Sequence, residues 1–233
     1  MGAPRSVDLS VIMPVLNEGP GIGDAISRVQ ALAGDRSLEL IIVDGDPSGS
    51  TVRAIPDGTA IKLISERGRA RQMNAGASLA SGTVLLFLHA DSTLPRSAFQ
   101  LILSAMDDAR INAGAFDLGV ASDRAVFRIT ERYVALRTRL TRIPFGDQAI
   151  FLRRDYFNKI GRYSDIPLME DVDLMTRIRK RGDRIAVIPE KVMTSARRWE
   201  REGILYCTCR NWLLQILYSL GVSPARLARW YRS

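Results

Sequence analysis

The chain contains very few cysteine and histidine residues, and this scarcity excludes several kinds of site. Of its 233 residues, two are cysteine and one is histidine. Cys207 and Cys209 are too few for a disulfide framework, and no second pair is present to complete a zinc site. We therefore expect both thiols to serve in packing, in a protein kept in a reducing compartment.

Long apolar runs and the common phosphate-binding motifs are also absent. No stretch approaches the roughly 20 apolar residues needed to span a bilayer, and the N-terminal residues do not form a leader of the signal-peptide type. No Gly-x-x-x-x-Gly-Lys-Ser/Thr or Gly-x-Gly-x-x-Gly sequence occurs, which argues against phosphate-loop and dinucleotide-binding folds. We expect a cytoplasmic protein, with peripheral contact to the inner face of a membrane left open.

The charge balance is strongly positive. Lysine and arginine number 33 against 25 aspartate and glutamate, giving a net charge of +8. This excess suits an anionic partner, whether nucleic acid, an acidic membrane surface or a phosphorylated substrate. Arginine strongly outnumbers lysine, and its planar guanidinium matches phosphate oxygens. No linker is apparent, so we expect one domain over residues 1–233, with a core at about 8–200 and a C-terminal helical extension at about 203–233.

Three predicted strands in the N-terminal half run into acidic residues. Apolar segments at residues 8–14, 38–44 and 84–88 lead into or end at Glu18, Asp44 and Asp91, respectively. A further short strand, which does not end in an acidic residue, is predicted at 60–65. With a helix predicted at about 22–33, the spacing indicates strand-helix-strand units and a parallel sheet. Ligands bind at the carboxyl ends of such strands, so Asp91 is a functional candidate. The alternative is that Asp91 only caps the turn that follows.

An arginine-rich segment lies between the strands predicted at residues 60–65 and 84–88. Arg67, Arg69 and Arg71 surround Gly68 at the predicted start of a helix. Free backbone N–H groups at a helix N-terminus, together with these cations, predict a site for a diphosphate. A solvated basic first turn is the alternative.

The C-terminal half continues the alternation of strands and helices. Helices are predicted at 95–109 and 124–142, and strands at 113–120 and 185–189; the segment 146–154 is predicted to be another strand preceded by a polar turn. The apolar side of the second helix is expected to be core, while its arginines face an anionic acceptor or lipid head groups. Its apolar residues are Phe127, Ile129, Tyr133, Val134, Leu136 and Leu140.

Two further segments have both a structural and a functional interpretation. Glu170, Asp171 and Asp173 open a helix that ends at Gly182, and acidic residues in a first turn are favourable for the helix dipole without any catalytic role. From residue 204 an apolar helix bearing tryptophan and tyrosine precedes a basic tail. It is expected to lie in a membrane interface, to pack over the domain or to contact a second subunit.

Taken in order, these motifs resemble family 2 glycosyltransferases of the GT-A fold. The resemblance spans about residues 9–199 and rests on segments 11–18, 67–76 and 87–91, the strand-end Asp44, Glu170-Asp171 and Arg198-Trp199. Segments 67–76, 87–91, 146–151 and 169–174 further resemble the small bacterial transferases named for arsenosugar biosynthesis. The resemblance implies an α/β GT-A fold, with a Rossmann-like, mostly parallel sheet flanked by helices and followed by a helical tail.

The resemblance also implies roles for individual residues. Pro14, Glu18 and Asp44 would contact the base and ribose, and Arg69 and Asn74 would lie near the diphosphate. Asp91 would bind Mg²⁺ or Mn²⁺ through the donor diphosphate, and Asp171 would be the general base. The remaining expected substrate-binding residues are Asn17, Arg67, His89, Ala90, Gly146, Asp147, Gln148, Glu170, Arg198 and Trp199.

Three positions depart from the family pattern. His89 stands where the first aspartate of the Asp-x-Asp motif usually lies, which removes one negative charge from the expected metal site. Ser195 replaces the glutamine of the processive motif, and this argues against a processive polysaccharide synthase. Gly49 lies where an acidic residue is common.

The expected reaction is a single displacement with inversion, in which a sugar moves from a nucleotide-diphosphate sugar to a hydroxyl of a small or lipid-linked acceptor. A homodimer and membrane contact through the C-terminal helix are open possibilities, and no nucleic-acid partner is expected. Two alternatives are a nucleotidyltransferase acting on a sugar phosphate and a non-enzymatic nucleic-acid-binding protein. The first lacks a glycine-rich phosphate loop after the first strand, and the second is disfavoured because clustered carboxylates repel phosphate.

Overall fold

The computed structural model describes residues 7–34 and 37–232, and within them one sheet of eight strands is flanked by helices. The strands are β1 Leu9–Val15, β2 Leu38–Asp44, β3 Ile61–Ile64, β4 Val84–Phe87, β5 Ser92–Thr93, β6 Ile111–Ala121, β7 Phe151–Arg153 and β8 Arg184–Ser195. The helices are α1 Gly19–Ala33, α2 Arg69–Leu79, α3 Ala98–Asp107, α4 Ala125–Thr141, α5 Arg154–Lys159, α6 Glu170–Lys180, α7 Arg197–Glu202, α8 Ile204–Ser219 and α9 Pro224–Arg232.

The first half of the sheet is parallel, as predicted. Its strands lie in the order β3-β2-β1-β4, and each neighbouring pair is parallel. The predicted bounds of β2 are confirmed, and those of β1 and β3 agree to within one residue at each end. Helix α1 begins three residues before the predicted start, with Pro20 in its first turn, where proline's missing N–H has no cost. The loops after β1, β2 and β4 therefore meet at one sheet edge.

The second half of the sheet is mixed, but parallel pairs remain the majority in the whole sheet, as expected. Strand β7 is antiparallel to both β4 and β6, while β6 and β8 are parallel and the short β5 is antiparallel to β8. Sequence patterning predicted these strands but carried no information on their directions. The two-residue β5 was not predicted.

Strand β8 is much longer than the predicted segment 185–189. It continues to Ser195, and its pairing with β6 shifts register between the pairs Ile188–Phe116 and Lys191–Asp117. Pro189 lies in this irregularity. Proline cannot donate a hydrogen bond to a neighbouring strand, so it is tolerated at a bulge where pairing is interrupted. The prediction ended the strand at this proline and was wrong.

Apolar side chains alternate between the two faces of the sheet and build one core on each. On β1, Val11 and Met13 pack with α1 and α3, whereas Ile12 faces α2. The second core also receives α5 and α6, including Phe157 and Leu174. Both faces of β1, β2 and β4 are thus largely buried, which fixes the strand ends that carry the polar loops.

Helix α4 contradicts the expectation that its apolar side is core. Phe127 is fully buried, yet Ile129, Tyr133, Leu136 and Leu140 are exposed. The buried side of α4 also contains Glu131 and Thr138, which are held by hydrogen bonds to β6, to Lys191 and to Gln148. The polar contacts decide which side faces inward. Within the described residues, no helix is long and apolar enough to cross a bilayer.

Candidate functional site

Two cavities meet at the sheet edge where the polar loops converge. The larger has a volume of about 720 Å³ and the smaller about 280 Å³. They share four wall residues, Arg69, His89, Asp91 and Arg198. A molecule in one cavity would therefore contact a molecule in the other at this junction.

The larger cavity is built from the end of β1 and the start of α2. Pro14 and Glu18 form one side, while Arg67, Gly68 and Arg69 form the other. Gly68 has φ 144°, a conformation that residues with a side chain rarely adopt, and no side chain caps the helix that follows. The first backbone N–H groups of α2 and the flanking arginines thus provide the elements of an anion site.

Arg69 is held by an ion pair across the cavity wall. Its Nε lies 2.7 Å from Oε1 of Glu170, whose side chain is almost fully buried. Burial opposes the charge on Arg69, but attraction to Glu170 and Asp171 raises its pKa above the usual value. Burial also raises the pKa of Glu170, and Arg69 only partly offsets this. The pair therefore joins the first turn of α2 to that of α6.

The junction has one neutral imidazole and two neighbouring carboxylates. Burial and the nearby Arg69 lower the pKa of His89 to about 4, so its ring is neutral at physiological pH. Burial and the charge of Asp91 raise the pKa of Glu18. The carboxylate of Asp91 itself is exposed to the cavity.

These residues fit a divalent cation that takes most of its ligands from substrate. Among the described residues, no group of three or more histidine, cysteine, aspartate or glutamate side chains is arranged to hold an ion. Mg²⁺ characteristically binds one or two carboxylates, with phosphates and water supplying the other ligands. Asp91 offers such a carboxylate, and Glu18 lines the same cavity.

Asp171 lines the smaller cavity and is oriented by two backbone N–H groups. Gly146 donates to its Oδ2 at 2.6 Å and Val172 to its Oδ1 at 2.7 Å. A side chain at Gly146 would approach both Asp171 and the ring of His89. Met169, just before α6, has φ 68°, and non-glycine residues in this conformation are uncommon and concentrate at functional sites.

Asp147 is a second carboxyl group in the wall of the smaller cavity. Burial raises its pKa to about 6, with Arg137 lowering it and Asp171 raising it by lesser amounts. Its buried Oδ1 has no hydrogen-bond partner in the part of the chain that the structure describes. The carboxyl group therefore lies in the cavity wall with one oxygen both buried and unpaired.

Most of the predicted site residues line these cavities or the shallow groove beside them. The larger cavity includes Pro14, Glu18, Arg67, Arg69, His89, Ala90, Asp91 and Arg198. The smaller includes Asp147, Asp171 and Trp199 as well as the shared residues. Asn17 lines the adjacent groove with Glu18, Ala90 and Asp91. Gly146 contributes its N–H to Asp171.

Four predicted contact residues do not line these walls. Asp44 is fully buried and accepts hydrogen bonds from the N–H groups of Asp46, Thr51 and Val52, so it shapes the loop after β2. The Asn74 amide is paired with the backbone of Tyr163, and Gln148 is fully buried with its amide bonded on both sides. Glu170 acts on the site through Arg69. For these four residues, direct substrate contact remains a prediction that this geometry does not support.

The C-terminal helices contribute wall residues that the motifs did not identify. Asn211 and Gln215 on α8 and Tyr231 on α9 line the smaller cavity. Nη1 of Arg198 donates a hydrogen bond to the Tyr231 hydroxyl. The only signal in the sequence was the aromatic and basic character of the tail, which equally fitted a membrane or a subunit contact.

Comparisons with known proteins agree with this architecture. Residues 10–162 match the family described as glycosyl transferase family 2. The chain is 24% identical over 221 residues to the probable glycosyltransferase YdaM of Bacillus subtilis, covering 83% of this chain and 50% of that protein. It is 31% identical over 191 residues to a PGL/p-HBAD biosynthesis glycosyltransferase of Mycobacterium tuberculosis, covering 70% of this chain and 65% of that protein. The chain thus spans about half to two thirds of these relatives.

Solved structures show the same fold at low sequence identity. Glucosyl-3-phosphoglycerate synthase from Mycobacterium tuberculosis, in complex with Mn²⁺, UDP and phosphoglyceric acid, has a TM-score of 0.64 and 18% identity, covering 93% of this chain and 79% of that one. Mannosyltransferase PcManGT from Pyrobaculum calidifontis, in complex with GDP-Man and Mn²⁺, has a TM-score of 0.63 and 19% identity. The match covers 79% of this chain and 56% of that one. The expected GT-A-like α/β fold is confirmed.

Proposed function

Because the chain belongs to glycosyl transferase family 2, we propose that it is a metal-dependent, non-processive, inverting transferase that moves a sugar from a nucleotide-diphosphate sugar to an acceptor hydroxyl. One observation carries the proposal. Two cavities share Arg69, His89, Asp91 and Arg198, and Asp171 lines only the smaller one. This separates a donor side from an acceptor side, with the base on the acceptor side.

The larger cavity is proposed to hold the donor. Its volume of about 720 Å³ lies in the usual range for ligand pockets. Arg67, Arg69 and Arg198 line it, and the N-terminus of α2 opens into it. Guanidinium groups and free N–H groups suit a diphosphate, while Pro14 and Glu18 lie where the nucleoside would extend. The two structural relatives named above contain GDP-Man or UDP.

The bound cation is proposed to be Mg²⁺ or Mn²⁺, held by Asp91 and by the oxygens of the donor diphosphate. Such an ion would supply electrostatic stabilisation of the negative charge that develops on the leaving nucleoside diphosphate. The chain's own contribution to the same charge comes from Arg69 and Arg198 at the junction. His89, neutral because of its lowered pKa, can donate a hydrogen bond there without adding charge.

Asp171 is proposed to accept the proton of the attacking hydroxyl. Its two backbone hydrogen bonds fix the carboxylate in the wall of the smaller cavity, as a general base requires. The hydroxyl oxygen forms a bond to the anomeric carbon while the bond to the diphosphate oxygen breaks, so the configuration inverts in one step. Asp147 lies in the wall of the same cavity.

Four narrower proposals concern the acceptor, the domain organisation, the location and membrane contact. The likeness of segments 67–76 and 169–174 to arsenosugar-biosynthesis transferases supports a small hydroxylated acceptor, with a lipid-linked one as the alternative. We also propose a single catalytic domain, a cytoplasmic location and peripheral membrane contact. Because the chain spans only part of its curated relatives, each of these must be tested on the full-length protein.

A donor screen followed by product analysis tests the proposed function. UDP- and GDP-sugars with Mn²⁺ should raise the melting temperature, because ligand binding to the folded state stabilises it. Turnover with an acceptor should then release a nucleoside diphosphate and give a product of inverted anomeric configuration by NMR. Release of pyrophosphate would identify a nucleotidyltransferase instead. Binding to generic DNA without any nucleotide-sugar effect would favour the non-enzymatic alternative.

A further inference from the structure

The exposed large apolar side chains are concentrated on three helices. Of the thirteen found among the described residues, ten lie on α4, α8 and α9 or directly at their ends. Single exposed apolar residues are normal on protein surfaces, but a concentration of them indicates a binding surface. The ten are Ile129, Tyr133, Leu136, Leu140, Tyr206, Trp212, Leu213, Ile216, Leu220 and Trp230.

On α4 these residues form one stripe. Positions 129, 133, 136 and 140 follow the spacing of a single helix face. Their side chains are 68%, 39%, 59% and 75% exposed. Such exposure along nearly the whole helix is opposite to the usual arrangement, in which the apolar stripe packs on the core.

Helix α8 presents two different faces. Asn211, Leu214 and Gln215 line the smaller cavity on its inner side. Leu213, Ile216 and Leu220 follow helical spacing on the other side and are exposed. The apolar residues of α8 therefore exceed what its packing against the domain uses.

A ring contact joins the two helices into one surface. The rings of Tyr133 on α4 and Trp212 on α8 lie 4.6 Å apart between centroids. The apolar stripe of α4 and the outer face of α8 are therefore adjacent. We call the exposed apolar residues of these two helices the α4–α8 face.

The helices of this face carry more positive than negative charge. Residues 203–233 contain four arginines and no acidic residue. On α4 the single acidic residue, Glu131, is buried and paired with Arg128 and Lys191. Exposed arginines on or next to these helices, Arg132, Arg142, Arg226 and Arg229, make no ion pair with a carboxylate within the described part of the chain.

We propose that the α4–α8 face docks on the surface of an anionic lipid bilayer. A lipid interface provides both an apolar layer for Leu136, Ile216 and Leu220 and negative head groups for the arginines. Tyrosine and tryptophan side chains, as in Tyr133 and Trp212, favour this boundary. A second copy of the chain is a poorer occupant, because a symmetric dimer would bring two positively charged faces together.

Docking in this way would bring the smaller cavity close to the lipid. Helix α8 separates the cavity from the outer face, and a helix is about 10–12 Å across with its side chains. The proposal does not depend on glycosyl transfer, since binding to vesicles can be measured without a donor or an acceptor.

Flotation with lipid vesicles tests the proposal. The full chain should float with vesicles containing about one-third phosphatidylglycerol roughly tenfold more than with phosphatidylcholine vesicles, since each basic residue near the surface adds to binding. High salt should weaken this binding through screening. Tryptophan emission should shift to shorter wavelength as the indole rings leave water.

Charge substitution on the face supplies the matched comparison. The double variant L136E/I216E should lose about tenfold or more of the vesicle binding, because apolar insertion is removed and negative charge is added. L79E on α2 is the control, since Leu79 is 48% exposed and lies outside the face. Circular dichroism should show both variants folded, as these side chains are exposed in the native state.

Two outcomes would overturn the proposal. The first is equal flotation of the wild type, L136E/I216E and L79E. The second is a dimer of the wild type by light scattering that L136E/I216E converts to a monomer without any vesicle binding in either protein. That result would assign the face to a second copy of the chain.

Discussion

Arg69 and Glu170 form an ion pair in which one partner is reached by solvent and the other is not. The Nε–Oε1 distance is 2.7 Å, with the Arg69 side chain 45% exposed and that of Glu170 only 3% exposed. The pair joins the first turn of α2 to the first turn of α6. The two partners should therefore respond differently when the other is removed.

We expect Arg69→Ala to destabilise the protein more than Glu170→Gln. The first leaves a buried carboxyl group without its partner, which costs roughly 2–3 kcal/mol, whereas the second leaves a guanidinium that water can reach and costs about 1 kcal/mol. Urea unfolding at neutral pH measures both. In Arg69→Ala the pKa of Glu170 rises further in the folded state, so the variant should lose more stability as pH rises. Equal losses at all pH values would contradict this account.

Asp171→Asn should abolish transfer while leaving donor binding nearly intact. A general base typically contributes about 10²- to 10⁴-fold to the rate, and Asp171 does not line the larger cavity. Initial rates and donor calorimetry make the two measurements. Asp173→Asn is the control, because this carboxylate lies in the same helical turn but accepts hydrogen bonds from Ser164 and Arg177. If Asp173→Asn abolished turnover and Asp171→Asn did not, the acidic residues would serve the helix rather than the reaction.

Asp91→Ala should remove the metal dependence of donor binding. Asp91 is an exposed carboxylate at the junction, and burial together with the charge of Asp91 raises the pKa of Glu18. In the variant that pKa should fall by the part that Asp91 contributes, while the part due to burial remains. Calorimetry of UDP or GDP with and without Mn²⁺ gives the test, and we expect the Mn²⁺-dependent gain in affinity to disappear. An unchanged gain would place the ion elsewhere.

Tyr231→Ala should impair the reaction, although in the sequence Tyr231 lies well after the last recognised motif. Its hydroxyl accepts a hydrogen bond from Arg198, and the guanidinium of Arg198 lies over its ring at 5.3 Å. Without the ring, Arg198 loses its position between the cavities, and we expect kcat/KM to fall roughly tenfold. Tyr231→Phe keeps the ring and should lose less. A variant that removed α9 without affecting kcat/KM would contradict a role for this helix in the site.

The sequence predicted the parts of the molecule in which a local pattern has one physical solution. Apolar runs that end in acidic residues became β1, β2 and β4, since such runs are stable only when covered on both faces. His89 and Asp91 follow the end of β4 and reach the site because parallel strand ends share one edge, whereas Asp171, in the first turn of α6, was predicted only through the family resemblance. The family match covers residues 10–162 and therefore does not itself include Asp171.

The failures arose where tertiary contacts outweigh local pattern. The exposed stripe of α4 has the spacing of a core face, and only the hydrogen bonds of Glu131 and Thr138 reveal which side is buried. Asp44 has the position of a ligand residue and accepts hydrogen bonds from three backbone N–H groups in the next loop, so its contact with substrate stays a prediction. Tyr231 joins the site through the path of α8 and α9, which no motif encodes.

Asp147 gives the last prediction, which concerns pH. Burial raises its pKa from 3.8 to about 6, so the folded protein binds this proton more tightly than the unfolded chain does. The stability that this proton contributes is complete below pH 3.8 and is lost as pH rises through about 6. At about 1.4 kcal/mol for each pKa unit, the carboxylate costs up to roughly 3 kcal/mol at pH 7.5.

Asp147→Asn removes this cost because the amide carries no charge. We expect the variant to unfold at higher urea concentration than the wild type at pH 7.5, with the difference shrinking as the pH falls toward 4. Asp24→Asn, at an exposed position on α1, should show no such trend. Equal urea midpoints for Asp147→Asn and the wild type at pH 7.5 would contradict a destabilising buried charge at Asp147.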